Sequence, residues 1–202
     1  VVMVKAQQPQ LVLPLGHVTP VLGICFSPDS RLVVSISGSE EKNVKIWETR
    51  TGKLVKTIDA HADRITSVAF SPDGKYLLTT GHDQHAKVWD VPSGELYYDI
   101  FYNSNNWIEK GFITGDGKNV LLISDDAMEY FDLIGKKLVW GLMDTSSYRV
   151  YNDGVKWGHR FHAYDMSLNG AYAITANTDS SINVWDLKKQ GPPMKIREAD
   201  AE

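Results

Sequence analysis

The sequence is poor in the features that mark several classes of protein. Its 202 residues include one cysteine, Cys25, so no disulfide can form within the chain, and the apolar residues around it predict a buried thiol. No apolar run approaches the ~20 residues that cross a bilayer. The net charge of −4 offers no basic surface for nucleic acid or for a membrane. A glycine-rich motif that could cradle a phosphate is also missing. We therefore expect no nucleic-acid partner, no membrane partner and no cofactor.

The first residues leave two interpretations open. The chain begins Val1-Val2-Met3-Val4-Lys5-Ala6, and Val4 and Ala6 fit the small-residue pattern of a signal-peptidase site. Residues 1–9 are therefore either an N-terminal tail or the end of a signal peptide, and residues 10–202 are expected to form one folded segment. We expect a soluble protein that is cytoplasmic, or exported if Val4-Lys5-Ala6 ends a signal peptide.

One pattern recurs four times along the chain. In its clearest copy, a His is followed by a β-branched run, a Ser-Pro-Asp-Gly turn, a second run, and a third run that ends in Trp-Asp. Trp47 and Trp89 are 42 residues apart, Trp89 and Phe131 are again 42 apart, and Phe131 and Trp185 are 54 apart. A period near 42 matches the ~40–45 residues of a four-stranded propeller blade and exceeds the ~33–34 of ankyrin or tetratricopeptide repeats.

These motifs resemble the WD-repeat family, whose units open with Gly-His and close with Trp-Asp. Gly16-His17, Ala60-His61, Trp89-Asp90 and Trp185-Asp186 match this signature, and Trp47-Glu48 and Phe131-Asp132 nearly match it. The resemblance implies an all-β fold of β-propeller blades, each with four antiparallel strands, over residues 10–202.

In that family each repeat supplies an outer strand and then the three inner strands of the next blade. This order places outer strands at 10–15, 54–58, 96–100 and 138–142, and starts a fifth at 194–197. WD propellers usually close with about seven blades, and closure removes exposed sheet edges. Four repeats therefore predict an incomplete propeller that needs further blades or a second copy for closure.

The resemblance also implies a buried hydrogen-bonded chain of His, Ser or Thr, Asp and Trp within the blades. Because this set recurs from blade to blade, it indicates structure and argues against an enzyme, since an active site needs to occur only once. The predicted network contains His17, Ser35, Trp47, His61, Thr79, Asp83, Trp89, Thr175, Asp179 and Trp185.

Two groups of residues suggest other roles. His82, Asp83 and His85 lie within four positions and are potential metal ligands, but their spacing fits exposed turn residues better, so we expect no metal.

The second group lies in a segment inserted before the fourth blade, which accounts for the 54-residue spacing. Tyr, Trp and Arg are enriched at binding hot spots. The candidate partner-binding residues are Tyr148, Arg149, Tyr151, Trp157, His159 and Arg160, together with Trp107 in the matching loop of blade three.

The sequence therefore predicts a protein-interaction scaffold that presents the upper face of its blades to a protein or peptide partner. If the inserted aromatic residues instead fold back, they cover neighbouring blades. An alternative function is the sensory or targeting portion of a larger bacterial enzyme, such as a caspase-like peptidase with an N-terminal propeller.

Overall fold

The computed structural model describes residues 16–38, 40–102, 107–124, 127–143, 149–150, 156–157, 161–167, 169–177, 180–189 and 193–196. The regular secondary structure of these residues consists of β-strands. They contain no helix that is long and apolar enough to cross a membrane.

Sixteen strands form four sheets, and in each sheet four antiparallel strands pair in chain order. This meander is the architecture of a propeller blade, and it confirms the predicted fold class. The four described sheets do not close into a ring. Blade one contains β1 (Val21–Phe26), β2 (Leu32–Ser37), β3 (Asn43–Glu48) and β4 (Leu54–Asp59). Blade two contains β5 (Ile65–Phe70), β6 (Tyr76–Gly81), β7 (His85–Asp90) and β8 (Leu96–Phe101). Blade three contains β9 (Lys110–Ile113), β10 (Asn119–Ile123), β11 (Ala127–Asp132) and β12 (Lys137–Met143).

The chain then forms a short hairpin before the last blade. Its strands are β13 (Arg149–Val150) and β14 (Lys156–Trp157). Blade four contains β15 (Phe161–Met166), β16 (Tyr172–Asn177), β17 (Ile182–Asp186) and β18 (Met194–Ile196). The outer strands β4, β8, β12 and β18 lie where the repeat predicted them, within one residue at each end. The outer strand predicted at 10–15 lies outside the described residues.

A side-chain-supported turn joins the first two strands of each blade. In blade two the Ser71 hydroxyl donates to Asp73 Oδ1 at 2.6 Å and accepts from the Tyr76 amide at 2.8 Å. Gly74 has φ 71°, a left-handed conformation that glycine adopts without strain. Thr114 and Asp116 repeat the hydroxyl-to-carboxylate bond in blade three, at 2.6 Å. A Ser or Thr followed two positions later by Asp or Asn therefore sets the hairpin that starts each blade.

The hydrophobic core lies between successive blades. Separate clusters join blades one and two, blades two and three, and blades three and four. The thiol of Cys25 packs against the first cluster and is half-buried, so the prediction of a buried thiol was wrong in degree. Burial still raises the pKa of Cys25 to about 11, against the opposing effect of the Lys110 charge.

The blades have two distinct ends. The turns between first and second strands, and between third and fourth strands, lie at one end, which we call the lower face. The turns between second and third strands, and the loops from one outer strand to the next blade, lie at the other, which we call the upper face. The end of β12 at Met143 and the start of β15 at Phe161 therefore lie at the upper face.

Candidate functional site

A buried chain of side chains crosses blade two. The His61 ring lies between Asp83 and Thr79, with Nδ1 at 2.9 Å from Asp83 Oδ1 and Nε2 at 2.8 Å from Thr79 Oγ1. The Trp89 indole donates to the same hydroxyl oxygen at 3.0 Å. One proton arrangement satisfies every group: Nδ1–H donates to the carboxylate, and Nε2 accepts from Thr79. This hydrogen-bonded series of side chains thus joins the upper-face turn that contains Asp83 to the core.

Blade one contains the same chain with one substitution. The His17 ring contacts Glu41 Oε2 at 3.0 Å and Ser35 Oγ at 2.7 Å, and the Trp47 indole donates to Ser35 at 2.8 Å. Glu41 stands where blade two has Asp83. Its longer side chain reaches the ring from the longer turn of this blade, and it also accepts a hydrogen bond from Ser37 at 2.7 Å. The structure therefore brings these predicted residues of blade one together.

Sequence reasoning missed a lysine that ties down the same segment in both blades. The Lys45 ammonium donates to the Gly16 carbonyl at 2.7 Å, and the Lys87 ammonium donates to the Ala60 carbonyl at 2.8 Å. Each acceptor immediately precedes the network histidine. The available signal was a lysine two residues before the Trp of both repeats.

Blade three lacks both the tryptophan donor and the hydroxyl acceptor of this hydrogen-bonded series. In blade two Thr79 pairs opposite Lys87, and the corresponding pair in blade three is Leu122 and Glu129. Leucine therefore occupies the position at which blade two has the threonine hydroxyl. Phe131 replaces the tryptophan, and both apolar side chains are buried. Removing both partners of a hydrogen bond leaves no unpaired group, which explains how this blade tolerates the change.

Blade four retains part of the chain. The Trp185 indole donates to Thr175 Oγ1 at 3.1 Å. Asp179 lies outside the described residues.

The network carboxylates have strongly lowered pKa values. Burial acts to raise the pKa of Asp83, but the hydrogen bond and electrostatic interaction with His61, and two backbone amides, lower it to about 2. In Glu41, burial is opposed by hydrogen bonds from Ser37, two backbone amides and His17, and the pKa again falls to about 2. Both groups are therefore ionised at neutral pH and orient the histidine rings.

We expect the free energy of unfolding to decrease as the pH falls from about 4.5 towards 2. The unfolded carboxyl groups titrate near 3.8 and 4.5, above their folded values, so the unfolded chain takes up protons first. For Asp83 the loss should be on the order of 1–2 kcal/mol after partial solvent screening. Urea unfolding across this range would measure it, and Asp83→Asn should flatten the dependence.

Asp99→Asn is the matched control for this experiment, because the Asp99 carboxylate forms an exposed pair with His85. An unchanged pH dependence in Asp83→Asn would contradict the assignment of the buried carboxylate.

The possible metal ligands point to three different partners. The Asp83 carboxylate contacts His61, and His85 Nδ1 contacts Asp99 Oδ1 at 2.6 Å. The His82 ring stacks on Trp107 with centroids 4.6 Å apart. Across the described part of the chain, no group of three or more His, Cys, Asp or Glu side chains could hold a metal ion.

Trp107 forms an exposed aromatic site on the upper face between blades two and three. Its side chain is 42% exposed, one ring face lies on His82, and its indole N–H donates to Glu109 Oε1 at 2.6 Å. Both contacts fix the ring orientation while leaving apolar surface in solvent. Such a rigid, partly exposed indole is suited to contact a partner.

The other candidate partner-binding residues belong to the inserted segment. The backbone pairing of its hairpin sets Arg149 opposite Trp157. Tyr148, Tyr151, His159 and Arg160 lie outside the described residues.

Comparison with known proteins agrees with this architecture. The family model described as "WD domain, G-beta repeat" matches residues 7–48 and 52–90. The small ribosomal subunit protein RACK1y of Oryza sativa subsp. japonica is 24% identical over 180 residues, covering 87% of this chain and 50% of that protein. Nuclear distribution protein PAC1 of Arthroderma otae is 40% identical over 192 residues, covering 87% of this chain and 40% of that protein. WD repeat-containing protein AAC3 of Dictyostelium discoideum is 23% identical over 175 residues, covering 86% and 34%. The chain thus spans a third to a half of the length of these relatives.

Proposed function

Because the chain belongs to the WD-repeat family, we propose that it is a protein-interaction scaffold without catalytic activity of its own. The observation that carries this proposal is the Trp107–His82 stack, an oriented and partly exposed aromatic pair on the upper face. The inserted segment, with its tyrosine, tryptophan and arginine residues, connects two strand ends at the same face. We infer that this segment and the aromatic pair bind a protein or peptide partner.

The buried polar residues support a scaffold over an enzyme. The His–Ser/Thr–Trp chain occurs in blades one and two with the same hydrogen bonds, so its role is common to both. Its histidine rings are almost fully buried, whereas a catalytic base must reach a substrate. One relative is by its name a protein of the small ribosomal subunit. None of the three relatives is named as a peptidase, and the peptidase-linked alternative stays a prediction.

We also propose that further blades or a second copy cover the two ends of the described blade series. Leu22, Ile24 and Phe26 alternate along β1 and point to one side, and each is about half exposed or more. At the other end, Tyr172 and Ile174 of β16 expose a comparable apolar face. Exposed apolar patches of this kind mark interaction surfaces.

The double substitution Tyr151→Ala with Trp157→Ala should leave folding nearly intact and reduce partner capture at least tenfold. We expect these side chains to contact the partner, because they belong to a segment that the blade connection does not require: blade one reaches blade two with five residues between β4 and β5. The measurement is affinity capture from the native host with quantitative mass spectrometry, comparing proteins retained by wild type and variant. Trp107→Ala should weaken capture of the same proteins.

The control is Ile134→Ala, which removes an exposed apolar side chain at the lower face. Loss of folding in the double variant would mean that the inserted aromatics cover neighbouring blades. Capture that is unchanged in every upper-face variant would place the binding surface elsewhere.

A further inference from the structure

A cleft opens at the lower face between blades three and four. It has a volume of about 420 Å³, and both blades contribute to its walls. Its aromatic wall is formed by Trp140 of β12 and Tyr130 of β11, whose rings stack with centroids 5.4 Å apart and an interplanar angle of 15°. Asp116, Val139 and Lys188 also line the cleft.

A lysine side chain of the protein itself, Lys136, fills the equivalent position between blades two and three. Lys136, in the turn before β12, extends over the Tyr97 ring at 4.5 Å and the Tyr98 ring at 5.6 Å. Its ammonium donates to the Tyr97 carbonyl at 2.8 Å. A cation over an aromatic face is attracted by the ring quadrupole, and a backbone carbonyl satisfies one of its protons.

A lysine also bridges blades one and two at this level. Lys56 of β4 donates its ammonium to the Ser93 carbonyl in the turn of blade two. Lys56, Tyr98 and Trp140 each lie nine residues after the closing aromatic residue of their repeat. Two of the three described junctions are therefore bridged by a lysine ammonium, from the outer strand in one and from the turn of the next blade in the other.

The junction between blades three and four has an aromatic wall that could receive an ammonium group, but it has no lysine at the position of Lys136. Trp140 occupies the position of Tyr98, and Val139 occupies that of Tyr97, whose carbonyl accepts Lys136. Lys136 lies four residues after Asp132, and the corresponding residue after Asp186 is the neutral Gln190. Gln190 lies outside the described residues.

We propose that this cleft binds the ammonium group of a lysine side chain from a partner polypeptide. The lysine stem would lie along the apolar wall, with its ammonium near the face of Trp140 and close to the Asp116 carboxylate. Indole gives the strongest cation–π interaction of the aromatic side chains. The proposal concerns the lower face and is independent of partner binding at the upper face.

Asp116 supplies charge complementarity. The Thr114 hydroxyl and the Lys118 amide both bind Oδ1, at 2.6 and 3.1 Å, so Oδ2 can accept a further hydrogen bond. The hydrogen bond from Thr114 is the main cause of its lowered pKa, which keeps the carboxyl ionised at neutral pH. Burial and the charge of Asp116 together raise the pKa of Tyr130, as expected if that charge acts within the cleft.

The charge of Lys188 opposes the proposed ligand. Its exposed side chain lies at the cleft wall and carries the same charge as the ligand. Removing this charge should therefore strengthen binding, whereas removing the indole should weaken it. These opposite effects distinguish recognition of a cation from simple filling of an apolar cavity.

The test compares two probes that differ in one group, N-acetyl-lysine-N-methylamide and its norleucine counterpart. NMR chemical-shift titration of the full chain should show the lysine probe binding about tenfold more tightly than the norleucine probe. Trp140→Leu should abolish this preference, and Lys188→Ala should strengthen lysine binding two- to fivefold. Trp107→Leu, an upper-face change, is the matched tryptophan control and should alter neither value.

Thermal unfolding of each variant provides the folding control. If Trp140→Leu does not fold, the proposal is still tested by comparing the two probes on the unaltered protein and on the surface variant Lys188→Ala. Equal binding of the two probes, no binding of the lysine probe, or a lysine preference that survives in folded Trp140→Leu would overturn the proposal.

Discussion

Trp89→Ala is expected to destabilise the folded chain by about 3–5 kcal/mol, the range for deleting a large buried aromatic side chain. Trp89 is 7% exposed and packs in the cluster that joins blades one and two. Its removal leaves a cavity between the blades and also takes away the indole donor to Thr79. The cost combines lost burial, the cavity and a weakened polar chain, so it should exceed that of most single substitutions.

Trp107→Ala is the matched control, because the same side chain is removed from an exposed site. Trp107 contacts His82 and Glu109 only at the surface, and its loss should cost about 1 kcal/mol or less. The measurement is the urea midpoint of each variant at equal slope. Comparable midpoint shifts would show that the assignment of core and surface is wrong. We expect the same contrast with Trp157→Ala, the inserted tryptophan.

The second large effect is expected for His61→Ala. The substitution removes a hydrogen bond to the buried Thr79 hydroxyl, which contributes about 0.5–1.5 kcal/mol, and one to the charged Asp83 carboxylate, which contributes about 1.5–3 kcal/mol. We expect a total loss of about 3 kcal/mol. The upper-face turn that contains Asp83 should also become less protected, because the His61 bond anchors it to the core. Hydrogen exchange of the amides in this turn would detect that change.

His85→Ala provides a control of the same residue type in the same blade. His85 also pairs with an aspartate, but that pair is partly exposed, with 32% and 38% of the two side chains accessible. Exposed ion pairs contribute ~0–1 kcal/mol, so the loss should be small. If His85→Ala proved as costly as His61→Ala, the buried chain would not be the stabilising element we describe. A double-mutant cycle with Asp83→Ala would then measure the coupling directly.

Much of the fold could be predicted because each blade depends on local signals. The turn that contains Ser71 and Asp73 is made by residues adjacent in sequence, and the spacing of Trp47 and Trp89 fixes how often it recurs. The bounds of the outer strands β4, β8, β12 and β18 followed from the repeat within about a residue. Period-2 alternation then sets which side chains meet the neighbouring blade.

Predictions about individual side chains were less complete where the partner is remote in sequence. Sequence reasoning grouped His82, Asp83 and His85 by their spacing, but successive residues in a turn point in different directions, and each contacts a separate partner. Glu41 lies at the position in blade one that Asp83 occupies in blade two, six residues before the closing tryptophan. Only the structure shows that its longer side chain reaches His17 and Ser37 together.

The sequence by itself determined the all-β repeat, the order of strands within each blade and the chain of His, Ser or Thr and Trp in blades one and two. These features recur from repeat to repeat, and their spacing together with the resemblance to the WD-repeat family is sufficient to locate them. The tertiary structure decided the orientation of Trp107 on His82, the partial exposure of Cys25 and the cleft beside Trp140. Each of these arises where side chains from separate strands or blades meet, and their contacts depend on how blades pack together, which residue spacing does not specify.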